Sequence, residues 1–341
     1  MLTRVEPCSD AAFRRAAELV RAGEVVGFPT ETVYGLGADA LNPDAVLKIF
    51  AAKERPADNP LIVHITGLDQ IDRLISGKLS ATARRLAEIF WPGPLTMILP
   101  KSDIIPDCVS AGLDTVGIRM PSNPDARRFI EECGCPIAAP SANRSGRPSP
   151  TTARHVLDDM DGRIHMILDG GECSVGLEST VLDVTGDVPR VLRPGGVTPE
   201  QIAGAVGGCR VDDSVLRPLK EGEKPRSPGM KYRHYAPKGS LTIFEGEPED
   251  VAQGICEAYD QAGEGALILA LQEHLPLYGD RHVISLGADA EEMAHRLFDE
   301  LRSADDIGAR QIFSEAVPGT GIGLAVMNRL GRAAAFNIEK R

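Results

Sequence analysis

Apolar positions along the chain recur in helical and strand periods that take turns. Ser9 or Asp10 caps a helical stripe that runs through Leu19 and Val20 and stops at Gly23, and Val25-Val26-Gly27-Phe28 then reads as a short buried strand. The spacing predicts helix over Asp44 to Lys53, strand over Leu61 to Ile65, helix over Ser80 to Phe90, and strands over Leu95 to Leu99 and Val116 to Arg119. Pro124 to Cys133 fits a helix with proline in its first turn, followed by a strand from Pro136 to Ala139 and a Pro/Ser-rich loop over 140–150. Strands near Met166–Leu168, Thr180–Asp183 and Arg190–Arg193 precede a helix from Thr198 to Ala205. After an aperiodic stretch the alternation resumes at Leu241. It gives a strand, the helix Pro248 to Ala262, strands over Ala266 to Leu271 and His282 to Ser285, the helix Ala288 to Leu301, the strand Ala309 to Phe313 and a last helix from Gly323 to Ala335. The class is mixed α/β with many short strands, and no internal repeat is visible.

Length and charge divide this pattern. At 341 residues the chain exceeds one ordinary core and accommodates two domains. Lys+Arg against Asp+Glu is 22 against 29 over residues 1–216, 7 against 2 over 217–238 and 8 against 18 over 239–341, so a basic connector joins two acidic domains. The boundaries expected are 1–206 for a catalytic domain, 207–238 for the connector and 239–341 for a small C-terminal domain. A net charge of −12 argues against bulk electrostatic binding of nucleic acid, though a local basic site stays open. Apolar runs fall far short of a membrane span, and the N-terminus lacks a basic segment followed by an apolar core, so a cytoplasmic protein is expected. Seven scattered cysteines form neither a disulfide framework nor a zinc knuckle, and no metal site is expected.

Candidate chemistry gathers in loops. Lys53 and Arg55 leave a helix that Pro56 ends, and both long cations are expected to project into a loop beside the strand at Leu61. A phosphate chain suits such a pair, since arginine presents a planar fork and lysine a point charge; solvated surface charges are the plainer reading. Thr30, Thr32 and Tyr34 sit between a buried strand and Gly35-Leu36-Gly37, where a sharp turn is expected at the carboxyl end of a strand. Ser141, Asn143, Ser145 and Ser149 offer donors on a proline-stiffened loop, half of them explicable as turn chemistry. Arg119 closes an apolar strand, where a buried guanidinium needs an anion and an outward-facing one does not, and Arg193 ends Val191-Leu192-Arg193 in the same way. His64 reads first as a hydrogen-bonded core histidine. The connector segment Ser227 to Pro237 concentrates Lys231, Tyr232, Arg233, His234 and Tyr235, which suits a lid that stacks on a base and touches phosphates. Gly319-Thr320-Gly321-Ile322-Gly323 lacks the spacing of a dinucleotide fingerprint and reads as a flexible lead into a helix, and no phosphate loop or hydrolase motif appears.

Taken together, Pro29–Gly37, Lys53–His64, Trp91–Thr96, Val116–Pro121, Ala139–Thr151, Gly176–Val181, Val191–Gly196 and Ser227–Pro237 resemble the two-domain, YrdC-type threonylcarbamoyl-AMP synthase family, and Met327-Asn328-Arg329-Leu330-Gly331-Arg332 looks like that family's smaller second domain. The resemblance implies a YrdC-like twisted mixed α/β sheet, a linker, and a small Rossmann-like α/β domain. It implies a nucleotidyltransferase that makes threonylcarbamoyl-AMP and pyrophosphate from L-threonine, bicarbonate and ATP, for the threonylcarbamoyladenosine modification of transfer RNA. By the same resemblance Thr32, His64, Arg119 and Ser179 lie at the threonine, and Arg55, Asn59, Thr115, Ser141, Asn143, Ser149, Arg193 and Tyr235 at the ATP, with Lys53 and Arg55 carrying catalytic charge. Mg2+ is expected on ATP oxygens and water, without a carboxylate cage of its own. Threonylcarbamoyl transferase proteins are expected as recipients of the product, and any contact with transfer RNA as indirect. Two alternatives stay open at this point: an RNA-binding module using the basic connector, and an enzyme of another carbamoyl chemistry that ignores threonine.

Overall fold

The computed structural model describes residues 2–217 and 234–341. Of the expected connector, the stretch 218–233, with Lys231 and Arg233, lies outside the described residues, while His234 and Tyr235 lie within them. The described residues fall into two compact units. Residues 2–145 and 149–215 make the first; Gly146–Pro148, 216–217 and 234–341 make the second.

The first unit runs β1 (Arg4–Pro7), α1 (Asp10–Arg21), β2 (Val26–Phe28), β3 (Gly35–Asp39), α2 (Pro43–Lys53), β4 (Ile62–His64), α3 (Ile71–Leu74), α4 (Ala81–Phe90), β5 (Leu95–Pro100), α5 (Asp107–Ser110), β6 (Thr115–Arg119), α6 (Pro124–Cys133), β7 (Ile137–Ala139), α7 (Ala153–Met160), β8 (Met166–Asp169), β9 (Thr180–Asp183), β10 (Arg190–Arg193), α8 (Pro199–Val206) and β11 (Arg210–Val211). Local chemistry sets the helix ends. Ser9 caps α1 by accepting from the Ala12 amide, and the helix buries Phe13, Ala16, Ala17 and Val20 on one stripe. Asn123 caps α6 with Pro124 in its first turn, and Gly134 at φ 71° closes it. The strands form one 11-stranded mixed sheet in the order β1-β8-β2-β3-β7-β4-β6-β5-β9-β10-β11. One core lies around Val46, Ile49, Leu61, Val63 and Leu86, and another around Phe13, Phe28 and Phe129, where the rings of Phe28 and Phe129 sit 5.2 Å apart.

One expectation fails instructively. Gly35-Leu36-Gly37 is not a turn but the start of β3, paired antiparallel with β2 as Phe28↔Gly35 and Val26↔Gly37. These glycines are there for space: a Cβ on either would come within 2.8 Å of the Phe28 ring. The sharp turn falls earlier, at 30–34. Short elements absent from the periodic pattern, β1, α5, α7 and β11, also appear.

The second unit holds β12 (Ser240–Glu245), α9 (Pro248–Ala262), β13 (Ala266–Ala270), β14 (Val283–Ser285), α10 (Ala290–Asp306), β15 (Gln311–Glu315), α11 (Gly323–Ala333) and β16 (Ile338–Lys340). All registered pairs are parallel, in the order β14-β13-β15-β12-β16. Such a sheet is the small Rossmann-like domain that was expected. At the carboxyl end of β15 the buried Glu315 accepts hydrogen bonds from the Leu271 amide (3.0 Å) and Tyr278 Oη (2.5 Å) and pairs with His274 Nδ1 at 2.8 Å, which ties the segment after β13 to β15. Among the described residues no helix is long and apolar enough to cross a membrane.

Candidate active site

Strand register assembles the first half of the site. In β4 and β6, which run parallel, His64 lies opposite Arg119; in β5 and β6, which run antiparallel, Thr96 lies opposite the same arginine. Lateral neighbours in a sheet share a face, so His64, Arg119 and Thr96 line up across three strands. Thr115, Gly117 and Arg119 share that face along β6 by the two-residue period, and the side chains of Thr96, Ile98 and Ile62 close over Gly117.

The turn after β2 meets this row. Thr30 Oγ1 accepts from the amides of Thr32 and Val33, both at 3.2 Å, and donates to the Val33 carbonyl at 2.6 Å, which closes the turn on itself. Thr32 is thereby aimed at Arg119, whose Nη1 donates to Thr32 Oγ1 at 2.9 Å. Arg119 Nη2 lies 2.8 Å from Glu31 Oε1, with both side chains almost wholly buried. Burial pushes the Glu31 carboxyl upward, but the charge and hydrogen bonding of Arg119, helped by the amides of Glu31 and Ser122, outweigh it and hold the group below its ordinary value. Beyond Thr96 the row continues. Thr96 Oγ1 and Ser179 Oγ are 2.8 Å apart, and Arg193 donates to the Ser179 carbonyl from Nη2 (2.9 Å) and Nε (3.2 Å).

His64 is neutral here. Burial, and next the Arg119 charge, push its pKa down to about 3, against the opposing pull of Glu31. Its ring is buried, as expected of a core histidine, and stands edge-on to Phe28 at 6.1 Å, with the backbone of Ile137 and Ile62 beside it and no partner of good geometry on Nδ1 among the described residues. The unfolded imidazole titrates near 6.5, so below that pH the unfolded chain binds a proton that the folded one refuses, and stability falls as pH is lowered. Between pH 7 and pH 5 this loss is expected to be about 2 kcal/mol for the native chain and absent in His64→Gln, read from denaturant midpoints of the two at both pH values.

The second half of the site is two loops stitched together. Lys53, the last residue of α2, was expected to project into an open loop; instead its ammonium is buried and donates to the carbonyls of Ser141 and Asn143, while its own carbonyl accepts from the Ser145 amide at 3.1 Å. The reason lies in the helix end. Glu54 caps α2 at φ 53°, and its carboxylate pairs with Arg144 and with Arg163 Nη2 at 2.8 Å, which draws the 141–145 loop onto the helix terminus. Arg55 Nη2 donates to the Asn59 carbonyl at 3.3 Å, and its guanidinium sits 5.9 Å over the Phe50 ring. Asn59 is fully buried, yet neither its amide nitrogen nor its amide oxygen has a hydrogen-bond partner among the described residues. Ser141 Oγ donates to Asn143 Oδ1 at 2.5 Å, and Ser149 Oγ to the buried Glu178 Oε1 at 2.6 Å. Thr115 opens β6, half-buried, at the opposite end of the strand from Arg119.

Backbone bonds hold these pieces in one place. The Tyr34 amide donates to the Pro150 carbonyl, the Ala142 amide to Tyr34, the Leu36 amide to Pro140 and the Val175 amide to Glu31, at 2.7 to 2.9 Å. The structure thus gathers Thr32, His64, Arg119, Ser179 and Arg193, and stitches Lys53 to the Ser141–Asn143 loop. Tyr235 belongs to the second unit, where it is buried at φ 63°, stacked on Phe298 at 5.0 Å and faced by the Arg329 guanidinium at 5.8 Å. Glu31, Glu54 and Glu178 were not singled out from the sequence. An acid set between two threonines of a buried turn was the available signal for the first. No group of three or more metal-ligating side chains occurs among the described residues.

Comparison with known proteins fits this geometry. A family model described as telomere recombination matches residues 18–195, and one described as threonylcarbamoyl-AMP synthase, C-terminal domain, matches residues 197–335. The threonylcarbamoyl-AMP synthase of Bacillus subtilis is 51% identical over 97% of this chain and 95% of its own length. That of Pyrococcus abyssi is 46% identical over 96% and 95%. The crystal structure of Pyrococcus abyssi Sua5 complexed with L-threonine superposes with a TM-score of 0.92 at 44% identity, covering 100% of this chain and 99% of that one.

Proposed function

Because the chain belongs to the threonylcarbamoyl-AMP synthase family over nearly its whole length, we propose that it makes L-threonylcarbamoyladenylate and pyrophosphate from L-threonine, bicarbonate and ATP, as the first step of the threonylcarbamoyladenosine modification of transfer RNA. The observation that carries this reading is Arg119, a guanidinium buried in a sheet, bonded to the Thr32 hydroxyl and lying opposite Thr96, whose own hydroxyl meets that of Ser179. Such a cation suits the carboxylate of an amino acid.

The threonine carboxylate sits on Arg119, with the hydroxyls of Thr32 and Ser179 and the neutral ring of His64 around it. The Cα atoms of Thr115 and Arg119 are about 13 Å apart by strand rise, room for a nucleotide to lie along β6 from the threonine. Asn59, whose buried amide is unsatisfied, and the Ser141, Asn143 and Ser149 side chains hold the ATP. Bicarbonate loses water to give carbon dioxide, the threonine ammonium sheds a proton to solvent, and the free amine adds to the carbon dioxide with loss of a second N–H proton to give a carbamate, whose oxygen attacks the α-phosphate and displaces pyrophosphate in line. Arg55 and Arg193 offset the developing phosphate charge, and Lys53 does so from within the loop it clamps. Mg2+ arrives on the ATP oxygens. Carbamate and acyl phosphate are both lost to water, so the reaction requires shielding from solvent. The product passes to threonylcarbamoyl transferase proteins. Seven free thiols support a reducing, cytoplasmic setting.

The test is pyrophosphate release from Mg-ATP with threonine and bicarbonate each omitted in turn. Release should require both, and Lys53→Ala should lower it about 50-fold, roughly 2 kcal/mol, because two buried carbonyls lose their cation. Pyrophosphate released equally without threonine would refute the reading.

A further inference from the structure

Glu31 has no part in the site as described so far, apart from balancing Arg119. Both its oxygens are buried; Arg119 Nη2 stands 2.8 Å from one of them and the amides of Glu31 and Ser122 bear on the carboxylate, yet neither oxygen has a partner of good hydrogen-bond geometry among the described residues. A carboxylate offers about four lone-pair positions, so this one retains accepting capacity in a place where water is scarce. Neither His64 nor Cys173 adds a charge beside it. His64 is neutral, and burial pushes the Cys173 thiol up to about 12, so the local charges are one cation and one anion.

A free α-amino acid is itself a cation and an anion one carbon apart. Its carboxylate landing on Arg119 would leave Glu31 with a surplus negative charge in a buried turn, unless the ligand's ammonium supplies the balance. We propose that Glu31 is the recognition residue for the substrate's α-ammonium: Arg119 receives the carboxylate, Glu31 accepts N–H hydrogen bonds from the ammonium, and the buried ion pair is a template for a zwitterion. The inference rests on the functional reading above and deepens it. It makes the site selective for free α-amino acids over hydroxy acids and N-acylated amino acids, and it places the nitrogen, which meets carbon dioxide only after the ammonium has lost a proton to solvent. Thr32 serves the template from the other side, since its hydroxyl holds Nη1 of the same arginine and leaves Nη2 turned to Glu31.

The experiment is calorimetric binding to the full chain. Native protein is titrated with L-threonine, with 2,3-dihydroxybutanoate, in which a hydroxyl replaces the ammonium, and with Mg-ATP; the threonine and Mg-ATP titrations are repeated on Glu31→Gln. The expected results are a loss of ~10-fold or more in threonine affinity in the variant with Mg-ATP affinity unchanged, and failure of the hydroxy acid to displace threonine from native protein. Threonine affinity within about twofold of native in Glu31→Gln would overturn the inference. So would equal losses for threonine and Mg-ATP, which mark a merely structural residue, or displacement by the hydroxy acid as effective as by threonine itself. The hydroxy-acid arm needs no variant and decides the matter if Glu31→Gln does not fold. Native protein that binds no threonine at all would refute the functional reading instead.

Discussion

Arg119→Ala is expected to lower threonine-dependent pyrophosphate release by about 10³-fold and to cost about 3–5 kcal/mol of stability. The two losses have different origins. Activity falls because the substrate carboxylate loses its buried counter-charge, while stability falls because Glu31 is left as an uncompensated carboxylate behind the turn that Thr30 closes. A double variant separates them. Adding Glu31→Gln to Arg119→Ala should recover a good part of the stability, since an uncharged amide no longer needs the guanidinium, and should recover no activity. Arg119→Lys is expected to keep most of the stability and little of the activity, because an ammonium cannot hold Thr32 and Glu31 through two arms at once. Denaturant unfolding and pyrophosphate release on the four proteins check all of this. An Arg119→Ala variant as stable and as active as the native chain would remove the centre of the proposed site.

The fold was legible wherever burial imposes a period. Helices such as α6 and strands such as β9 and β10 fall where the pattern places them, because caps, prolines and apolar stripes are local signals. β3 was not legible, since its glycines are dictated by the Phe28 ring across the sheet, and a long-range packing requirement looks in sequence like a turn. The same division runs through the site. Arg119 stood out because a cation in an apolar strand demands a partner, but its lateral neighbours His64 and Thr96 depend on strand order, which periodicity does not encode. Lys53 shows how a residue type can be read correctly and its environment wrongly. A lysine ending a helix before proline suggested a cation projecting into an open loop, whereas backbone bonds from the 140–145 loop to Tyr34, Leu36 and Lys53, together with the Glu54–Arg144 pair, bring carbonyls around the ammonium.

Gly195→Ala is expected to cost as much stability as the loss of Arg119, although the added group is one methyl. A Cβ at this position would lie 2.3 Å from the Thr180 nitrogen, 2.4 Å from the Glu178 oxygen and 2.5 Å from the Ser179 carbonyl carbon, all backbone atoms without a rotamer to change. The strand carrying Arg193 would have to move away from the segment carrying Ser179, which breaks the bonds from Arg193 to the Ser179 carbonyl and displaces the hydroxyl paired with Thr96. A shift of that kind is expected to cost about 3–5 kcal/mol, and a misplacement on the order of 1 Å at such a site lowers activity about 100-fold even where the fold survives. Gly186→Ala is the matched control. Nothing lies within 4 Å of the Cβ it would add, so its stability should stay within about 0.5 kcal/mol of native. Thermal or denaturant midpoints of the two variants give the comparison. A Gly195→Ala chain with the midpoint of Gly186→Ala would mean that the β9 and β10 segments do not approach as closely as the site requires, and Arg193 would then lose its place beside Ser179.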